Sequence, residues 1–164
     1  MQNFEFFHGA AVIKIVHSGY FKTVQNFSKS NAAYLVDEKI GLYIKYSQKR
    51  MSPWIFTFDK DHIKEIKDLN NLLGNVFIAF VCNDDGICCL DWKEFCTLIS
   101  VENKNYPKWI KVQRKKNEKY SISGVDGELK HKIGNSDFPN KLNNYGPTNR
   151  INNTLGFSET KLRR

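Results

Sequence analysis

YLVDEKIGLYIKYSQKRMSPWIFTF, residues 34–58, decides the reading of this chain. β-Branched and aromatic residues run through 34–36 and 40–46, on either side of the polar trio Asp37-Glu38-Lys39. That is the pattern of a β-hairpin. On its second strand Leu42 and Ile44 share one side, and Tyr43 and Lys45 share the other. A basic loop with Lys49 and Arg50 follows. Ser52-Pro53-Trp54 then interrupts pairing, because proline has no N–H to give to a ladder. Residues 55–58 read as a further short strand.

Before the hairpin, residues 3–17 carry Phe4, Phe7, Ala11 and Ile15 at helical spacing. Asn3 is the expected N-cap and Ser18-Gly19 the stop. Residues 20–27 alternate and predict a strand, and 28–31 form a polar turn. After the hairpin, DKDHIKEIKDLNNLL predicts a helix capped by Asp59 or Asp61, with Ile63, Ile66, Leu69 and Leu73 as its apolar stripe. Gly74-Asn75 closes it. VFIAFVC, residues 76–82, is a continuous apolar run, as expected of a strand buried on both faces. Asn83-Asp84-Asp85-Gly86 supplies a hairpin turn and residues 87–90 the returning strand. Asp91 caps a short helix ending near Ser100.

Beyond 101 the composition changes. Asn105, Tyr106 and Pro107 mark a linker, residues 109–114 and 120–123 a basic hairpin, and 128–133 a third strand. Residues 135–164 are rich in Asn, Gly, Pro and basic residues and poor in core formers, and about the last 20 read as a mobile tail. The expected fold is α/β (α+β): a central mixed β-sheet flanked by helices, with a basic β-rich C-terminal extension. The expected division is a core over 1–100, the extension over 101–142 and a flexible tail over 143–164.

Charge follows the same division. Residues 1–100 hold 11 Lys/Arg and 11 Asp/Glu, whereas residues 101–164 hold 14 and 6 and so carry the whole net charge of +8. A basic segment beside a neutral one points to an anionic partner, nucleic acid first among them. The opening residues lack the early basic cluster of a secretory signal, and no apolar run approaches membrane-spanning length. The four cysteines lie within 82–96, two of them adjacent. That spacing suits neither a disulfide framework nor a zinc site, and an intracellular (cytoplasmic), reduced protein is expected. Buried thiols are the expected role of these cysteines.

Two basic sets stand out. Lys49, Arg50 and Trp54 combine cations with an aromatic ring, as a phosphate contact with base stacking requires. Arg114, Lys115 and Lys116 sit at a hairpin tip that can track phosphates. His8 and His17 are not at i, i+4 and form no helical metal pair. His62 and His131 have no evident partner. Asp37-Glu38 reads as turn chemistry, with a divalent metal as the alternative.

The order helix, strand, lysine-bearing hairpin, short strand, helix, buried strand, returning strand resembles the restriction-endonuclease-like, or PD-(D/E)XK, superfamily. Its layout is most similar to that of archaeal Holliday junction resolvases. The resemblance covers roughly residues 3–100. It implies a helix acid, a strand acid and an acidic-x-Lys motif, in which the acids hold Mg2+ and the lysine serves the attack on a phosphodiester. Carried onto this chain, it makes Glu5 and Asp37 metal ligands and Lys45 the motif lysine. The chain departs from the pattern at Tyr43, where the motif has a carboxylate, and at Ser30-Asn31, where the earlier aspartate belongs.

The sequence therefore leads to a DNA- or RNA-binding protein of nuclease-like build, either a Mg2+-dependent endonuclease or an inactive relative. The alternative is a non-catalytic subunit of a protein complex. A homodimer is implied by the resolvase resemblance, and no membrane partner is expected. A thiol enzyme is a third and weaker option.

Overall fold

A computed structural model describes residues 1–27 and 30–144. Its secondary structure runs α1 (Asn3–Ser18), β1 (Val24–Asn26), β2 (Ala33–Val36), β3 (Ile40–Ser47), β4 (Trp54–Phe58), α2 (Lys60–Leu73), β5 (Val76–Cys82), β6 (Ile87–Asp91), α3 (Trp92–Leu98), β7 (Lys108–Gln113), β8 (Ser121–Gly124), β9 (Gly127–Glu128) and α4 (Asp137–Asn143). The described residues form an α+β fold with two sheets. The first is mixed, in the order β1-β2-β3-β5-β6, and the second is antiparallel, in the order β4-β7-β8-β9.

β3 is the axis of the molecule. It pairs antiparallel with β2 across the three-residue turn Asp37-Glu38-Lys39, in which the φ values of 51° at Asp37 and 59° at Glu38 match the right-handed twist of a hairpin. On its other edge it pairs parallel with β5, with Ser47 opposite Cys82. Parallel neighbours need a crossover, and β4 with α2 supplies it. α2 lies so close to the sheet that a Cβ on Gly41 would come within 2.7 Å of Leu69 Cγ. Asp59, rather than Asp61, caps α2: its carboxylate accepts from the His62 N–H at 2.9 Å.

Two apolar layers clothe the first sheet. On one face Leu42, Ile44, Phe77, Ala79 and Cys89 pack against Ala11 and Ile15 of α1 and Phe138 and Leu142 of α4. On the other, Tyr43, Ile78, Phe80, Cys88 and Leu90 meet α2, α3 and the second sheet. The alternation of β4 puts Trp54, Phe56 and Phe58 inward. β5 is buried along its whole length, as a strand covered on both faces must be.

Four expectations need adjustment. The strand expected over 20–27 is only Val24–Asn26, because the Asp37 carboxylate captures the Lys22 and Thr23 N–H groups that a ladder would use. The strand expected over 128–133 shortens to Gly127–Glu128 and a single bridge between Tyr120 and Ile133. Gln2, rather than Asn3, occupies the cap position of α1. Part of the Asn- and Pro-rich stretch is the kinked helix α4, which completes the apolar layer on the α1 face of the sheet. The second sheet also runs across residue 100, since β4 of the core pairs along β7 of the extension. The expected tail lies outside the described residues apart from Asn143 and Asn144. Among the described residues no helix is long and apolar enough to cross a membrane.

Candidate functional site

The carboxyl ends of the parallel pair β3 and β5 gather the loops that carry the candidate residues. In open sheets with parallel strands this end is where ligands bind. The 48–53 loop leaves β3 here, and the 83–86 turn joins β5 to β6. Asn83 ties the two, its Nδ2 donating to the Gln48 carbonyl at 2.7 Å. The tip of the β7–β8 hairpin closes in from the second sheet, because β4 and β7 pair with Trp54 opposite Val112. The Arg114 N–H donates to Ser52 Oγ at 3.1 Å.

Between the two loops lies an open cleft of about 650 Å³ lined by Arg50, Met51, Ser52, Trp54, Asp85, Arg114, Lys115, Lys116 and Asn117. Two basic sets far apart in sequence thus share one wall. Arg50, Lys115 and Lys116 are exposed, and none of them forms an ion pair among the described residues. Arg114 is different. Its guanidinium forks onto Asp85, Nε to Oδ2 at 2.7 Å and Nη2 to Oδ1 at 3.1 Å. Tyr120 donates to the same carboxylate at 2.8 Å, and its ring lies 5.0 Å from the guanidinium carbon. Burial first, and then the bond to Asp85, pushes the Tyr120 hydroxyl up. Arg114 is therefore a neutralised strut that sets the hairpin on the 83–86 turn.

Lys49 and Trp54 also serve the frame. Lys49 Nζ donates to the Pro53 carbonyl at 2.8 Å, and Trp54 Nε1 donates to the Lys49 carbonyl at 2.8 Å. Trp54 is only 1% exposed, so it has no free face for a base, and its expected stacking role is corrected to a core one.

A second cleft, of about 590 Å³, opens on the other side of the same loop and is lined by residues that include Phe4, His8, Tyr43, Lys45, Tyr46 and His62. Here Lys45 is half-buried. Its ammonium lies 5.0 Å from the centre of the Phe58 ring. Burial holds its pKa below that of an ordinary lysine, opposed by the charge of Asp59.

Glu5, Asp37 and Lys45 are not assembled around a metal. Glu5 is exposed at the start of α1, where its carboxylate accepts from the Gln2 N–H at 2.6 Å. Asp37 accepts from Lys22 and Thr23 at 2.7 and 3.0 Å, just past the far end of that helix. About 20 Å of helix separates Glu5 from Ser18, and about 17 Å of strand separates Ile40 from Lys45. The two carboxylates lie at opposite ends of α1, so the pair does not fit Mg2+, although Asp37 Oδ2 is buried without a hydrogen-bond partner among the described residues. Among the described residues no group of three or more His, Cys, Asp and Glu side chains is placed to hold a metal ion.

Several residues that show no partner in the sequence have one in the fold. His8 Nδ1 meets the Tyr34 hydroxyl at 2.9 Å, His62 Nδ1 accepts from the Asp59 N–H at 3.1 Å, and His131 bonds Glu94 at 2.8 Å. Only the pair Asp59 and His62, at capping-box spacing, carried a sequence signal. Asp85 reads as a turn residue and is also the counter-ion of Arg114. Cys82, Cys88 and Cys89 are buried free thiols, and burial pushes all three up, away from the reactive thiolate. In comparisons with protein-family models, curated proteins and solved structures, nothing matches this chain.

Proposed function

We propose that this protein binds the sugar–phosphate backbone of DNA or RNA across the basic cleft, without reading base sequence. The supporting observation is the convergence of Arg50 from one loop with Lys115 and Lys116 from another, all exposed and all without an ion-pair partner among the described residues. Unneutralised cations along an open groove suit a repeating polyanion, whose bound counter-ions they release. The bond from the Arg114 N–H to Ser52 Oγ holds the two loops at a fixed spacing, which reduces the ordering cost of binding. Cleavage is not part of this reading, because Glu5, Asp37 and Lys45 do not share a site. The test is fluorescence anisotropy with labelled single-stranded and duplex oligonucleotides across a salt series, with Mg2+ or with EDTA. Binding is expected in both, with log K falling linearly against log salt. No binding at low salt would overturn the proposal.

A second reading, a protein partner or a second copy docked on α1, is favoured by one feature. Phe6, Ile13 and Val16 on its outer side are 61%, 52% and 57% exposed. Phe6→Glu with Ile13→Glu would then shift the sedimentation behaviour of a complex and leave oligonucleotide binding unchanged.

A further inference from the structure

The Lys45 cleft holds hydrogen-bond donors that the basic-cleft reading does not use. Lys45 leaves β3 on the Tyr43 side, pointing between the sheet and the start of α2. Among the described residues no oxygen accepts from its ammonium; its contacts are the Phe58 ring and the more distant charge of Asp59. A cation partly withdrawn from water without an acceptor is costly to keep. Across the cleft, His62 Nδ1 accepts from the Asp59 N–H. The neutral ring must therefore carry its proton on Nε2, and that donor is also without an acceptor among the described residues. The nearest carboxylate, Asp59, is occupied as the cap of α2, accepting from the His62 N–H. Two donors, one of them charged, thus belong to residues that line this cleft and have no acceptor of their own among the described residues.

The opposite wall is aromatic. Phe4 and His8 come from α1 and Tyr46 from β3. Phe7 stacks behind Tyr46 at 4.7 Å and His8 meets it edge-on at 5.8 Å, which fixes the Tyr46 ring. The volume falls within the range of about 300–1,000 Å³ typical of small-ligand sites. We propose that this cleft binds a phosphate monoester carried on a flat organic group, with Lys45 Nζ and His62 Nε2 donating to phosphate oxygens and the Phe4–Tyr46 wall receiving the flat group. A nucleotide phosphate has both parts, whether free or at the end of a nucleic acid strand. The site is separate from the basic cleft, and its test can succeed or fail independently.

The experiment is calorimetric titration of the full chain with adenosine 5′-monophosphate, with adenosine, and with a short oligonucleotide with and without a 5′-phosphate. Removing the phosphate is expected to weaken binding at least about tenfold, the share of one charge-assisted hydrogen bond. Lys45→Met is expected to cost a similar factor, while neutralising Arg50, Lys115 and Lys116 leaves the mononucleotide affinity unchanged. In the variant with Arg50, Lys115 and Lys116 neutralised, where the basic cleft no longer adds to oligonucleotide affinity, tighter binding of the phosphorylated oligonucleotide than of the monophosphate assigns the site to strand ends, and the reverse assigns it to free nucleotides. The Lys45 Cε resonance of the wild-type protein should shift on adding the monophosphate, a reading that does not depend on the variant folding. Equal affinity with and without the phosphate, wild-type affinity in folded Lys45→Met, or an unmoved Lys45 resonance would overturn the proposal.

Discussion

The two clefts at the end of β3 share a loop and differ in how their charge is held. In the basic cleft the free cations sit on loop tips in water, and the one arginine that is partly buried is forked onto Asp85. In the Lys45 cleft a single cation is half-withdrawn from water beside histidines whose pKa values burial lowers. Exposed charge costs little to keep and acts through number and salt-dependent attraction. Partly buried charge costs more and is worth more to one ligand of the right shape. The difference separates a surface for polyanions from a pocket for one small group.

The largest effect expected to test this contrast is charge reversal. Arg50→Glu, Lys115→Glu and Lys116→Glu together should weaken oligonucleotide binding on the order of 1,000-fold at low salt. Mononucleotide binding should be untouched. If both fall together, the clefts are one site. Next comes Asp37→Ala, read by chemical denaturation. Asp37 serves two backbone N–H groups and a positive-φ turn position, so its loss should cost about 2 kcal/mol of stability. Ligand binding at either cleft should be unchanged in the folded variant. A catalytic Asp37 would give the opposite pattern, full stability with lost activity.

A smaller effect comes from pH. Burial, opposed by the bond to Asn31, holds His8 below its ordinary value, and burial together with the Lys45 charge does so for His62. For both, the unfolded chain binds the proton more readily. Stability should therefore be full above the unfolded histidine value of about 6.5 and decline as pH falls from there toward the folded values. Thermal melts from neutral to mildly acid pH should show this decline, and His8→Phe should lessen it. An unchanged slope in His8→Phe would remove His8 from the account. The smallest effect on binding is that of Trp54→Phe, which removes the bond to the Lys49 carbonyl and part of a buried ring, and should cost about 2 kcal/mol of stability. Oligonucleotide affinity should change less than about twofold, against the roughly 1–3 kcal/mol that a stacked base would contribute.

The same contrast explains what is legible in the sequence alone. Period and punctuation reveal elements, so the hairpin around Asp37-Glu38, the stripe of α2 and the twice-covered β5 can be read from residues 34–82. Charge runs reveal exposed cations, so Arg50, Lys115 and Lys116 are legible too. Their meeting is not, since it depends on the β4–β7 pairing, which joins residues far apart in the chain. Trp54 shows the ambiguity of an aromatic beside lysines: the same residue type serves a core or a stacking platform, and only its burial decides. The fork of Arg114 on Asp85 is a product of tertiary geometry, joining residues 29 apart, and leaves no periodic trace. α4 escapes because its seven residues include two Asn and a Pro, while only Phe138 and Leu142 are buried.

The central claim, that the basic cleft holds a polyanion through Arg50, Lys115 and Lys116, is tested most directly by a difference in salt slopes. Oligonucleotide affinity would be measured across a salt series for the wild-type chain and for Arg50→Gln/Lys115→Gln/Lys116→Gln. Each cation–phosphate pairing removed should flatten the plot of log K against log salt by about 0.7–0.9, so the triple variant should be shallower by about 2–3. Parallel plots for the two proteins would contradict the account and place the polyanion elsewhere on the molecule.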